Sequence, residues 1–247
     1  MNFIGIDTSK VSTSMVIETG EKEYIFSYNT NKPTYKWNKN INHIVKIRTY
    51  EYDNSIENYS ETEFDKLKNF SKISNDLLED IISTIVSTEP TIIYIEGYSY
   101  GRDSSQIIDL VGIGSIVRAK IYENIPNIKQ IKIIAPKSLK LIACEMVYGY
   151  EMVDIGKKKE KIVKVINTNK DSKKGGDFDK KDMFELILES TTPCILDSFY
   201  TDNLDEILSL KTFPKPLEDI NDAWLLKEII KYEYRHELKE QHINIGF

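Results

Sequence analysis

Cysteine and histidine are scarce in this chain of 247 residues, which holds two cysteines, Cys144 and Cys194, and three histidines, His43, His236 and His242. The cysteines lie far apart without Cys-x-x-Cys spacing, which argues against a zinc site or a redox dithiol and fits a reducing compartment. The histidines show no metal-ligand spacing and read as ordinary surface or core residues. An apolar run of about 18 residues, the length a membrane span needs, is also missing. The N-terminus carries no basic segment followed by a long apolar one, so neither a membrane anchor nor a secretory signal is expected. By elimination, the protein is expected to be intracellular.

The chain is long enough to bury a substantial core. One domain over 1–247 is expected, with insertions at about 29–53 and 149–179. The net charge of −6 argues weakly against a nucleic-acid partner, but it averages over two unlike segments. Lys129 to Lys181 holds 14 lysines against seven acids, whereas Asp182 to the end holds 14 acids against six bases. A basic segment beside an acidic one suits a protein that grips phosphates and also binds cations. Solvation alone produces the same pattern fairly often.

The stretch Phe3–Ile17, FIGIDTSKVSTSMVI, organises the rest. Two apolar runs flank a polar turn and read as a hairpin, and Gly5 marks a close backbone approach within the first strand. Asp7 ends a strand that otherwise reads as buried on both faces. It is either a turn aspartate bonding its own backbone or a metal-binding carboxylate on a rigid strand. Further on, Lys22–Tyr28 alternates as a third strand, 29–42 reads as an Asn/Lys-rich loop, and His43–Tyr52 as an edge strand. Glu61–Thr88 is an amphipathic helix with Phe64, Leu67, Leu77, Leu78, Ile81, Ile82 and Ile85 on one broad face. Thr91–Glu96, TIIYIE, reads as a buried parallel strand that ends in a second acid. Ser104–Asn124 is a helix whose Gly112 and Gly114 mark close contacts. Ile128–Ile134 is a strand, and Pro136 opens a helix over Lys137–Val147. Residues 149–179 show no stable pattern and read as a solvated insertion or as a basic arm that orders on a polyanion. Lys180–Glu189 reads as a short helix, 190–216 as loop, and Glu218–Leu238 as the last helix.

That last helix carries the most informative detail. Asp219 and Asp222 are three apart and share a face near its N-terminus. The same face continues into Leu226 and Ile229, so the acids lie on the core stripe rather than on a solvated one. Buried carboxylates need partners, and the positive helix N-terminus supplies part of the compensation. If Asp7, Glu96, Asp219 and Asp222 meet, their combined charge is untenable without protons or cations. Oxygen-only ligands select Mg²⁺, with Mn²⁺ as the alternative. Two such ions about 3.5–4 Å apart are the device for phosphodiester hydrolysis.

The succession GIDTS, YIEGYSYG and DINDAWLL resembles the RuvC-type Holliday-junction resolvases of the RNase H-like superfamily. Asp7, Glu96, Asp219 and Asp222 match that family's four acids one by one, including the Ala223 that follows the pair. The resemblance implies an RNase H-like mixed sheet, with antiparallel opening strands plus parallel ones, flanked by helices. It also implies two Mg²⁺ ions per site, a four-way DNA junction as substrate and a homodimer built on a Gly-containing helix like Val111–Lys120. Lys140 and Lys180 or Lys181 would contact phosphates, and Tyr98 and Tyr100 lie where the family sets an aromatic against junction bases. The long segments 28–53 and 149–179 depart from the compact family pattern and imply a divergent, viral or phage-like member.

Three other readings compete with a junction-resolving endonuclease. A ribonuclease-H-like enzyme acting on RNA–DNA hybrids would use the same acids. A sugar kinase of the actin-like type would share the opening hairpin, but its second Gly-rich phosphate hairpin and its adenosine motif are not found. A junction-binding module with structural acids would bind without cutting.

Overall fold

The computed structural model describes residues 1–9, 11–20, 22–30, 36–53, 55–98, 104–147, 150–154, 160–167, 172–177, 180–189 and 194–244. Its main sheet begins with β1 (Asn2–Asp7), β2 (Ser12–Thr19) and β3 (Lys22–Thr30), a meander of alternating and β-branched residues. After α1 (Lys36–Ile41), β4 (Lys46–Tyr50) adds an edge strand parallel to β3. Helix α2 (Tyr59–Thr84) leads into β5 (Thr91–Glu96), and α3 (Ser104–Asn124) into β6 (Ile128–Ile134). The strand order is β4-β3-β2-β1-β5-β6, with β2 antiparallel to its neighbours and the other pairs parallel. This is the mixed α/β arrangement, antiparallel opening strands plus parallel ones flanked by helices, that the sequence leads one to expect.

Downstream come α4 (Pro136–Val147), β7 (Tyr150–Asp154), β8 (Glu160–Asn167), β9 (Ser172–Asp177), α5 (Lys180–Glu189), α6 (Asp197–Asp202), α7 (Leu204–Ser209) and α8 (Leu217–Asn244). Strands β7, β8 and β9 form a separate antiparallel sheet. The expectation of no regular structure over 149–179 is therefore corrected for its described residues. The backbone there finds its hydrogen bonds in local hairpins, which need little apolar periodicity. The loops expected over 29–42 and 190–216 likewise contain α1, α6 and α7.

Two cores sandwich the main sheet. On one face, Ile4, Ile6, Ile93 and Ile95 pack against Phe70, Ile73, Leu77 and Ile81 of α2 and Ile113, Val117 and Ile121 of α3. The buried stripe of α2 is thus set by 70, 73, 77 and 81. Phe64, Leu67 and Ile82, expected on the apolar face, are exposed because they fall outside that phase. Gly112 lets the Phe70 ring approach, since an added Cβ would sit 3.3 Å from it. The acid Asp80 of α2 is buried and accepts hydrogen bonds from Tyr28 of β3 at 2.9 Å and Arg48 of β4 at 2.8 Å, which fastens α2 to the sheet edge.

The other face belongs to α8, with α4, α5 and α6 around it. Leu217, Ile220, Ala223, Trp224, Leu226 and Ile230 are all buried, so the first half of α8 is enclosed nearly all round. Lys227, with a fully buried side chain, is held by Glu23 at 2.7 Å and Glu18 at 3.1 Å. Those two acids come from β3 and β2, so the ion pairs fix the roll of α8 about its own axis. Beneath it, Gly5 permits near-contact of backbones. A Cβ at Gly5 would lie 2.0 Å from the Ala223 carbonyl oxygen and 2.7 Å from the Lys227 amide nitrogen. Both obstructing atoms are main chain and cannot rotate away. Gly5→Ala is therefore expected to cost about 3 kcal/mol, at the upper end for overpacking, read as a lower urea midpoint at unchanged slope.

Candidate metal centre

Period-two alternation decides where the first two acids point. Along β1, Ile4 and Ile6 face α2 and α3, so Gly5 and Asp7 face α8. Along β5, Ile93 and Ile95 face α2 and α3, so Tyr94 and Glu96 face α8. The two strands run parallel with Ile6 beside Ile95, so their next residues, Asp7 and Glu96, emerge side by side at the same sheet end. Helix α8 starts over that end. Asp7, Asp222 and Asp219 are 3%, 3% and 2% exposed. Leu226 and Ile229, the continuation of the acidic face, are fully buried, which is why the pair points inward.

Ligand oxygens of Asp7, Glu96 and Asp222 all lie within 4.8 Å of one another. Asp219 stands beside this trio and feels the charge of Asp7. Each helix acid has a lysine: Lys180 binds Asp222 Oδ2, and Lys215 binds Asp219 Oδ1. Glu218 sits between the two ammonium groups, 3.6 Å from Lys180 and 3.2 Å from Lys215. The opposite oxygens, Asp222 Oδ1 and Asp219 Oδ2, are buried and without a hydrogen-bond partner.

These surroundings push Asp7, Glu96, Asp219 and Asp222 toward their protonated forms. Burial, then the charge of Glu96, raises Asp7 well above the usual carboxylate range. Burial likewise raises Glu96 and Asp222, the latter against the pull of Lys180. Asp219 is pushed up to about 8 by burial, with Lys215 opposing. For Lys180 and Lys215, burial works against the ammonium, but Asp222 and Asp219 respectively outweigh it and raise both.

The centre opens into a cleft of about 510 Å³ that Thr8, Tyr98, Lys140, Lys180 and Lys215 also line. A second hollow of about 350 Å³ adjoins it, lined by Lys140, Lys180, Lys181, Lys211, Thr212 and Phe213. Lys140 and Lys180 thus border both spaces, and Lys181 donates to the Leu208 carbonyl at 2.6 Å. Tyr98 lies against α3. An added Cβ at Gly114 would meet its hydroxyl at 2.6 Å, and the Arg118 guanidinium stacks 4.6 Å from its ring centre. Tyr100 lies outside the described residues. Lys215, Lys211 and Glu218 are additions that sequence reasoning missed; Lys215 stands one helical turn before Asp219, but in a segment that reads as loop.

No protein-family model and no curated protein matches the chain. Among solved structures, it is similar to Thermus thermophilus RuvC in complex with a Holliday junction substrate. The identity is 10%, the TM-score 0.44, and the match covers 96% of each chain. Thermus thermophilus RuvC is also similar, at 11% identity and TM-score 0.41, over 96% of this chain and 97% of that one. The yeast mitochondrial Holliday junction resolvase Ydc2 matches at 14% identity and TM-score 0.45, over 96% of this chain and 82% of that one.

The donor set fits a hard divalent cation. Among the described residues the cluster is carboxylate alone, drawn from three separate elements, and one of its buried oxygens, Asp222 Oδ1, lacks a partner, as does Asp219 Oδ2 beside it. Without a cation, the raised carboxyls bind protons more tightly folded than unfolded. Their contribution to stability is therefore fully present below the unfolded value of about 4 and is lost as pH rises toward 8, where Asp219 titrates. In EDTA, Asp7→Asn should lose less over that span. Urea denaturation should show the variant gaining on the wild type as pH rises from 5 to 8, and Mg²⁺ should erase the difference.

Proposed function

We propose that this protein is a divalent-metal-dependent endonuclease that cuts DNA at four-way junctions, acting as a homodimer on DNA inside the cell. The observation that carries this reading is the meeting of Asp7, Glu96 and Asp222 within 4.8 Å at the mouth of a lysine-bordered cleft. Asp7, Glu96 and Asp222 would hold one Mg²⁺ or Mn²⁺, and Asp219 would complete the shell of a second. Bound there, such cations supply an activated water and neutralise charge on the leaving oxygen. The protein's own part is to hold four carboxylates rigidly and to exclude bulk water from them. The lysines would place the phosphate: Lys140 and Lys180 border both hollows, and Lys181 and Lys211 extend the basic track. Two symmetric cuts in a junction require two sites related by a two-fold axis, which is the argument for a dimer of the whole chain.

A synthetic four-way junction and a linear duplex of matching sequence, each incubated in EDTA, Mg²⁺ and Mn²⁺, test the reading. Paired symmetric nicks confined to the junction are expected, absent in EDTA. Asp7→Asn and Asp222→Asn should each lower the rate by more than about 100-fold, the upper range for losing even an outer-shell partner. Cutting that ignores branching, or prefers RNA–DNA hybrids, would retire the junction assignment. Junction binding without cutting in any metal would retire the nuclease. Lys140→Ala is expected to weaken binding regardless of sequence and to reduce the slope of log affinity against log salt by about 0.9.

A further inference from the structure

We infer that Lys215 is a built-in counter-ion that keeps Asp219 out of the ligand set, so the centre takes one divalent cation tightly and a second only by displacing the Lys215 ammonium. This deepens the metal-dependent reading above and rests on it.

The two helix acids are alike in sequence but not in position. Asp222 joins Asp7 and Glu96 within 4.8 Å, whereas Asp219, one turn earlier, does not. Asp219 has one oxygen on Lys215 and the other buried without a partner, so it is half compensated. An ammonium is a compact single charge with three donors. While it sits on Asp219, a divalent cation arriving at the free oxygen meets a like charge at short range.

Lys215 is also placed rather than merely nearby. It precedes α8 by two residues, and the chain around it is anchored by backbone bonds from Glu218 to Pro214 and from Ile220 to Pro216, each 3.0 Å. Leu217 beside it is fully buried. The spacing from Lys215 to Asp219 is one helical turn, and Glu218 holds the ammonium from the other side at 3.2 Å. The side chain is nevertheless 34% exposed and borders the cleft, so it can leave Asp219 without disturbing the core. Lys180 is the contrasting case, because it binds an acid that already belongs to the trio.

Titration of the full chain with Mn²⁺, following the free ion by electron paramagnetic resonance, tests the assignment. The wild type should bind one ion tightly per chain. Lys215→Met should bind two, the second at least tenfold tighter than in the wild type, and adding Asp219→Asn should abolish that second site. Lys215→Arg keeps the charge and should behave as the wild type, a rescue that a purely structural role would not require. Lys215→Gln, polar and close in length, replaces the Met variant should the latter misfold. The inference is overturned if neutral variants bind Mn²⁺ as the wild type does, if Lys215→Arg matches Lys215→Met, or if the wild type already binds two ions equally. A wild type that binds no Mn²⁺ would instead defeat the metal-dependent reading itself.

Discussion

Backbone contact between β1 and α8 at Gly5 is the constraint on which the rest depends. A helix normally stands off a sheet by the thickness of its side chains. Here the missing Cβ brings the Ala223 carbonyl to the strand itself. That closeness is what sets Asp222 on the helix against Asp7 on the strand, two residues beyond Gly5. The ion pairs of Lys227 with Glu18 and Glu23 fix the helix's roll, so the carboxylates cannot turn away from one another. Repulsion among them is therefore an enforced feature of the packing, and counter-charges must be supplied locally.

The counter-charges come in two grades. Lys180 and Lys215 each neutralise one oxygen of one helix acid, and Glu218 ties the two ammonium groups together. Their compensation is incomplete, since burial and the neighbouring acids still raise Asp7 and Glu96, and two carboxylate oxygens have no partner. Burying a like-charged set in this way lowers stability, and proteins hold such strain where a ligand relieves it. The regional charge asymmetry has the same logic at larger scale. The acidic C-terminal segment supplies Asp219 and Asp222, while the basic segment before it supplies Lys140, Lys180 and Lys181 along the cleft.

Much of this arrangement is legible in the sequence because it rests on two short periods. Alternation along FIGID and TIIYIE places Asp7 and Glu96 on one face of adjacent strand ends, and helical spacing from Asp219 and Asp222 to Leu226 and Ile229 turns the pair inward. The close approach at Gly5 is legible as well. The phase of α2 is not, because Phe64, Leu67 and Ile82 are apolar enough to suggest a stripe that tertiary packing does not use. Nor is the three-stranded sheet over 150–177, where backbone pairing forms in a segment whose composition reads as solvated. Lys215 escapes notice for a different reason: a lysine before a proline reads as loop, and its partner becomes visible only when the start of α8 is fixed.

Between Lys215 and Lys180 the centre distinguishes two acids that the sequence presents as equivalent. The distinction follows from where each sits on α8. Asp222 lies next to Ala223, at the point of backbone contact with β1, and so is forced into the company of Asp7 and Glu96. Asp219 lies a turn nearer the helix start, beyond that contact, and is within reach of the segment that leads into the helix. A carboxylate at the backbone contact must share its charge with other carboxylates, whereas an equally buried one a turn nearer the helix start can be given a private cation. The same helix thus offers one acid that is committed to the cluster and one whose commitment depends on a single movable lysine.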